Sequence, residues 1–459
     1  VRGAARCGLA LGALLAVSLG GARRAAAEVT LIEHDGWSFF TNGRINSFLS
    51  LGYGDDFPNP TFNPNIGADG NPGPQHAVIG GGGSYFTAGY PNDQGYPGGK
   101  YYGLRIRSGF VGSILALGTK KQIDQDTYVK AYVSLWGTAE SYARDRTNDA
   151  GNSTSKGFDV REGLVDIEGR WGGLVAGRQS GILGGIGTEI DFLYGHGYGV
   201  GLPCLEIYYP TCGHIGTGAL GPGFAAGFVY ASPSLAGLRF RGGLYDPVRL
   251  LGAWERTPYP RPEGTLTYER RLSTQVMFKL AAEGMYQYMA QLGSDRTDKV
   301  WGVSGGARLE AGPLRLGLSG FRGKGLGVYV ALQNASSTFN GATRDLRYFT
   351  GVYAQSALIF GREHLAAGIG RVIVDQLPED KVDPNNSNLQ AQTGISAAFY
   401  HQLAENIVLG IDYFRFQTNW WGAPNSTNDA TGAPVILPGV LPPEKQVVHI
   451  FNAGATFYW

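Results

Sequence analysis

The chain has 459 residues, a formal net charge of +1, and only 16% charged residues. That share is low for a long soluble chain, where roughly a quarter is usual, and the near-neutral balance gives no reason to expect nucleic-acid binding. The 73 glycines and 12% aromatics weigh against a helical protein, because glycine destabilises helices and aromatic rings suit a pleated surface.

The first element in chain order is a leader. Arg2 and Arg6 form a short basic start, residues 7–21 form an apolar run, and Ala25, Ala26 and Ala27 offer a small-residue cleavage site. This pattern predicts a secretory signal peptide over residues 1–27. Its removal takes away Arg2, Arg6, Arg23 and Arg24 and no acid, so the net charge goes from +1 to −3. Past it, no apolar run approaches the ~18 residues of a helical membrane span. Residues 28–459 are expected to form one exported domain.

From Glu28 onward the period is two. Ile45, Leu49, Leu51 and Tyr53 share one parity, and Arg44, Asn46 and Ser50 the other. Leu104, Ile106 and Phe110 alternate with Arg105 and Arg107, and Val129, Ala131, Val133 and Leu135 alternate with Lys130, Tyr132 and Ser134. Successive side chains on a strand face opposite ways, so each segment has one apolar and one polar face. Sixteen such segments follow, near 37–53, 101–118, 127–144, 157–170, 174–180, 223–232, 237–247, 264–271, 274–290, 299–310, 314–322, 345–360, 364–373, 389–402, 406–418 and 446–459.

The connections alternate. Short links such as 169–173, 233–237, 311–313, 361–363 and 403–406 are interleaved with long ones at 54–100, 181–222, 323–344 and 419–445. Aromatics gather near segment ends, among them Tyr53, Trp136, Tyr230, Tyr286, Trp420 and Tyr458. Short turns on one rim, long loops on the other and aromatic girdles describe an all-β, transmembrane antiparallel β-barrel of about 16 strands in the outer membrane. A soluble β-sandwich is the rival reading, and it explains neither the leader nor the alternating links. Inward parity, expected to meet water, carries Arg44, Arg105, Arg107 and Lys130, then Arg239, Arg241, Lys279, Arg308, Arg315 and Arg347. Cys204 and Cys212 stand close together in one long link; in an oxidising envelope they are expected to pair, with a metal site including His196 or His214 as the alternative.

Several stretches resemble the general diffusion porins of Gram-negative bacteria. Val160–Ser180 is similar to the porin hairpin ending in Gly-Arg-Gln, here Gly177, Arg178 and Gln179. Phe228–Asp246 is similar to the next hairpin with its Tyr-x-Ser-Pro turn, and the final strand to the porin export signal, with Phe451, Phe457 and Trp459 on one parity. The family usually ends in Phe, whereas this chain ends in Trp. The resemblance implies that the third long loop, 181–222, folds into the barrel and narrows it. Glu189, Asp191 and Glu206 on that loop would then face Arg44, Arg105, Arg107, Lys130 and Arg178 across the constriction, and such charge rings select among solutes. It further implies a passive, water-filled pore, a homotrimer set in outer-membrane lipid and lipopolysaccharide, and assembly by the barrel-assembly machinery through the C-terminal strand. No cofactor and no metal are expected.

Other chemistry is weakly signalled. Gly302 to Gly306 matches G-x-S-x-G, yet Ser304 lies within an alternating strand, where a nucleophile elbow needs a strand-to-helix turn. No Walker loop or HExxH pair is present. The rival functions are a substrate-selective channel for sugars or anions, with Tyr132, Trp136, Phe349, Tyr353 and Tyr400 as inward aromatics, and an outer-membrane barrel enzyme, for which the sequence shows no convincing Ser–His pair.

Overall fold

Strand β1 (Val29–His34) turns at Asp35 and Gly36, which have φ of 49° and 75°, into β2 (Trp37–Asp55). Along β2 the expected alternation is realised: Ile45, Leu49 and Tyr53 are exposed, while Asn46, Phe48 and Ser50 between them are buried. The structure, a computed structural model, describes residues 28–55, 100–110, 112–137, 158–194, 199–206, 209–250, 255–327, 345–381, 389–422, 424–428, 434–440 and 444–459. The expected leader and most of the link 54–100 lie outside the described residues.

The wall continues through β3 (Lys100–Arg107) and β4 (Ser113–Gln122), which both pair with β2 and share one place in the ring. Next come β5 (Tyr128–Gly137), β6 (Phe158–Gly169) and β7 (Gly172–Ser180). Helix α1 (Gly185–Glu189) and the small pair β8 (Leu202–Glu206) and β9 (Tyr209–Gly213) belong to the third long loop. The ring resumes with β10 (Phe224–Ala231) and β11 (Leu238–Tyr245), and the short β12 (Glu255–Arg256) flanks the upper end of β14. Then follow β13 (Arg261–Arg271), β14 (Val276–Gln291), β15 (Thr297–Ala311), β16 (Leu314–Lys324), β17 (Tyr348–Phe360), β18 (Glu363–Val374), β19 (Leu389–Ala404) and β20 (Ile407–Trp420). A separate ribbon, β21 (Pro424–Asn428) with β22 (Pro434–Val440), precedes the last strand, β23 (Glu444–Tyr458).

Strand β23 pairs with β20 on one side and with β2 on the other, from Gly54 opposite Val448 to Arg44 opposite Tyr458. The sheet thereby closes into a barrel of sixteen antiparallel strands with no free edge. Below the point where β23 ends, β1 takes over the pairing, with Val29 opposite Thr41 and His34 opposite Trp37. The chain end is fastened to the first strand. Gly43 N donates to Trp459 O at 3.1 Å, and Trp459 N donates to Gly43 O at 3.2 Å. A Cβ on Gly43 would lie 2.4 Å from the Trp459 ring, so glycine makes room for the terminal indole. The turn glycines Gly312 and Gly361 differ: their surroundings are empty, and φ near +60° is what calls for glycine.

Outside, an apolar belt circles the barrel; Val165, Phe228, Leu266, Val303, Val352 and Ile411 are all exposed. Two expectations are corrected. Phe110 does not share the outward face of Leu104 and Ile106. The strand breaks between β3 and β4, where Asn46 accepts from Gly109 N and donates to Gly112 O, each at 2.8 Å, and Phe110 turns into the interior. Nor is inward parity polar throughout. Towards the long-loop rim it is apolar and buried, with Val300, Phe349, Val372, Phe414, Phe416 and Ile450 in one cluster with the third loop's Leu183, Phe192, Leu193 and Tyr194. This sector of the lumen is filled by packed side chains rather than water.

Candidate functional site

The third loop leaves β7 through a neck in which Gly181 N donates to Gly223 O at 2.6 Å. It then crosses the lumen, and inward carboxylates of the wall receive its backbone. Ile182 N and Leu183 N donate to Glu263 at 2.6 and 3.0 Å, and Gly184 N and Ile186 N donate to Glu283 at 2.9 and 2.8 Å. Farther on, Val200 N, Gly201 N, the Tyr194 hydroxyl and the Asn452 amide all donate to Asp412. Buried backbone N–H groups need partners, and charged acceptors make the stronger bonds. These acids therefore dock the loop.

The approach is close enough to require glycine in the wall. A Cβ on Gly370 would meet Thr217 O at 2.1 Å, and one on Gly394 would meet Thr217 Oγ1 at 2.6 Å. On the loop side, a Cβ on Gly218, whose φ is +103°, would meet Val352 O at 2.0 Å. Loop backbone thus lies directly on strand backbone.

At the centre of the contact, Asp191 accepts from Leu193 N at 3.1 Å, Tyr194 N at 2.9 Å and the Gln355 amide at 3.0 Å. Its other oxygen faces His214 Nδ1 at 3.2 Å, and His214 Nε2 lies 2.5 Å from Ser396 Oγ. The Tyr353 hydroxyl lies 2.8 Å from Nδ1. Burial pushes the Asp191 carboxyl up, but the facing His214 and the hydrogen bonds outweigh it and hold it below the ordinary value. Connectivity alone matches a serine, its base and an orienting acid, an arrangement the sequence did not disclose. Its surroundings do not fit catalysis: the His214 and Asp191 side chains are 0% and 5% exposed, and Ser396 is buried. The three residues fasten loop to wall.

The residues expected at the constriction divide. Glu189, at the end of α1, binds Lys279 of the wall with both oxygens at 2.7 Å and lies 3.6 Å from Arg308. Its charge is matched on its own side of the lumen, and Asp191 is buried in the docking contact. Arg44 donates to Gly112 O at 3.2 Å, and Arg107 is buried. Lys130 and Lys120 both bind Glu28 at the short-turn end of the barrel, and Lys130 lies 4.8 Å from the Phe40 ring. Arg178 pairs in register with Gly163 and Ala226, on the face that exposes Val165 and Phe228, so it points out of the barrel. The side chains of Arg105 and Glu206 lie outside the described residues. Cys212 is disulfide-bonded, and Cys204 stands on the strand paired with its own.

The opposite wall carries charges the loop does not cover. Arg239 and Arg241 on β11 are half-buried and inward, and together with Lys130 they act electrostatically on Asp166 of β6. Lys130 and Asp166 stand directly opposite in register. Glu310, held between Arg308 and Arg315, completes the loop-side wall. On the uncovered wall the basic Arg239 and Arg241 face the carboxylates of Asp166 and Glu168, so a passage between the walls would be lined by charges of both signs. Sequence reasoning found the inward arginines but missed Glu263, Glu283, Asp412, Gln355 and Ser396. Their signal was the isolated polar residue of inward parity on an otherwise apolar or small-residue face.

No protein-family model matches the chain, and no curated protein matches it. Among solved structures, it is similar to the outer membrane channel DcaP of Acinetobacter baumannii, with 11% identity, a TM-score of 0.56, and 93% of this chain covering 99% of that one. It is also similar to the anion-selective porin from Comamonas acidovorans, with 14% identity, a TM-score of 0.53, and 92% of this chain covering all of that one. At such identities the likeness establishes the barrel fold.

Proposed function

We propose that the protein is a porin of the Gram-negative outer membrane, a water-filled channel through which ions and small hydrophilic solutes diffuse passively. The observation that carries this reading is the pairing of an apolar exterior belt with a charged inward wall facing a docked loop. Such a barrel is stable only with its outside in lipid and its uncovered inner charges in water. The leader expected over residues 1–27 supplies the route to that membrane.

Arg239 and Arg241 on the β11 wall, with Glu189 neutralised by Lys279 and Asp191 buried, support a mild anion preference. A solute site selective for sugars finds less support, because Phe349, Tyr353 and Tyr400 are buried in the loop contact instead of lining a water path. The enzymatic reading finds less support, because among the described residues the constellation of Ser396, His214 and Asp191 is closed to solvent. A homotrimer would bury one sector of the exterior belt, and the C-terminal strand, closing the ring at Trp459, is the natural handle for barrel-assembly machinery. The test is swelling of proteoliposomes in a series of uncharged sugars of rising size. Entry of small sugars with a sharp size limit supports a diffusion channel. Entry of one sugar regardless of size would instead favour a selective one.

A further inference from the structure

Three arginines on alternate strands of one sector face outward near the long-loop rim: Arg322 on β16, Arg371 on β18 and Arg415 on β20. Arg322 is opposite Thr350, on the parity of exposed Val352. Arg371 is opposite Val352 itself, and Arg415 is opposite Ile395. They also lie at one height. Rows of cross-strand partners run obliquely around a tilted barrel. One row starts at Gly52, near the long-loop end of β2, and descends through Ile450, Phe414, Ser396, Gly368, Gln355, Gly317, Arg308 and Lys279 to Glu269, near the short-turn end of β13. Going the other way, from β16 to β20, rows climb. The row of Arg322 reaches Ile373 on β18, two residues above Arg371, and the row of Arg371 reaches Gln417 on β20, two residues above Arg415. Each step down offsets the climb.

One strand lies between the members of each neighbouring pair, so they stand two strand spacings apart, about 10 Å. Below the three lies the exposed apolar belt, with Leu318, Ile369 and Ile411 on the same strands; beside Arg322 is the Tyr348 ring at 5.7 Å, itself edge-on to Trp301. This is the boundary between hydrocarbon and headgroups. Among the described residues the one acid paired with the set is Asp375, 3.6 Å from Arg322; Arg415 donates to the Gln417 side chain, and Arg371 has no partner.

We propose that Arg322, Arg371 and Arg415 form a binding site for the phosphates of lipopolysaccharide in the leaflet beside the long-loop rim. This rests on the outer-membrane reading above. Guanidinium groups match phosphate oxygens two at a time, and here three of them are presented at headgroup depth with one compensating carboxylate. A lipid whose chains lie along the apolar belt brings its phosphates to that level.

The test uses the purified, folded full-length protein, with its heat-modifiable gel shift as the fold control. Binding of lipid A is compared with binding of dephosphorylated lipid A, for the natural protein and for Arg322→Gln/Arg371→Gln/Arg415→Gln. The expected results are preference for the phosphorylated lipid and a loss of roughly a hundredfold in the triple variant, from about tenfold or less per basic group. Should the triple variant fail to fold, Arg371→Gln alone carries the test, with an expected loss of about fivefold. Equal binding by variant and natural protein, or indifference to the phosphates, would overturn the site. So would a change of oligomeric size at unaltered lipid binding, which would make this face a contact between copies. Conductance is read in parallel: a folded barrel that binds lipid without conducting would contradict the pore and leave the site standing.

Discussion

His214 of the third loop holds its Nε2 2.5 Å from Ser396 Oγ on β19, across a sequence separation of 182 residues. This contact joins loop to wall where no water reaches either group. Ser396→Ala would leave a buried ring nitrogen without that partner, at a cost of about 1–3 kcal/mol. Amide hydrogen exchange in the loop should quicken while exchange in the barrel strands stays as it was. A serine-reactive fluorophosphonate should leave the natural protein unlabelled at Ser396. Labelling there would show that the contact opens to solvent and would revive the enzymatic reading.

Asp191 adds a pH dependence with a definite sign. Its carboxyl is held below the ordinary value of 3.8, with His214 and the hydrogen bonds overcoming burial. A group whose folded pKa is depressed contributes stability that is complete above its unfolded value and is lost as pH falls through the folded one. Loop docking should therefore hold down to about pH 4 and loosen below it. Exchange or current noise recorded between pH 3 and 7 checks this, and Asp191→Asn should flatten the acid limb. Loosening already between pH 5 and 7 would point to a different group.

Glu189 neutralises Lys279 and Arg308 where the loop meets the wall. In Glu189→Gln Lys279 loses its counter-charge while Arg308 keeps Glu310, and the reversal potential in a salt gradient should move towards anions. Lys279→Gln should move it the other way. No movement in either variant would mean that this cluster is remote from the ion path.

The proposed anion preference is assigned to Arg239 and Arg241 of the uncovered wall. Replacing both with Ser should shift selectivity towards cations with the single-channel current still present. An unchanged reversal potential would assign selectivity elsewhere.

Much of the fold is legible because period-two alternation is a direct consequence of strand geometry, and the sixteen segments read from residues 37 to 459 each correspond to a strand of the ring. Ile45, Leu49, Phe451 and Phe457 face outward as their parity requires. What alternation conceals is what lies on the inner side. Phe349 and Phe414 have inward parity whether they meet water or a docked loop, and only the loop's path decides. Phe110 departs from its parity because one break in the strand inverts every later assignment. The site was less legible for a related reason: Glu189 and Asp191 were placed on the right loop, but their partners, Lys279 and His214, lie 90 and 23 residues away.

The chain end offers a further check. Trp459 is bonded to Gly43 in both directions, and Phe457 stands opposite Ile45 and Ile407. Deleting residues 457–459 should leave export to the periplasm intact and abolish the heat-modifiable form in the outer membrane. Normal insertion of the truncated chain would remove the closing role from this strand.

Reconstitution of the purified protein into a planar bilayer tests the channel most directly. Stepwise, uniform current increments with a reversal potential on the anion side are the predicted result. A folded barrel that inserts and never conducts would contradict it.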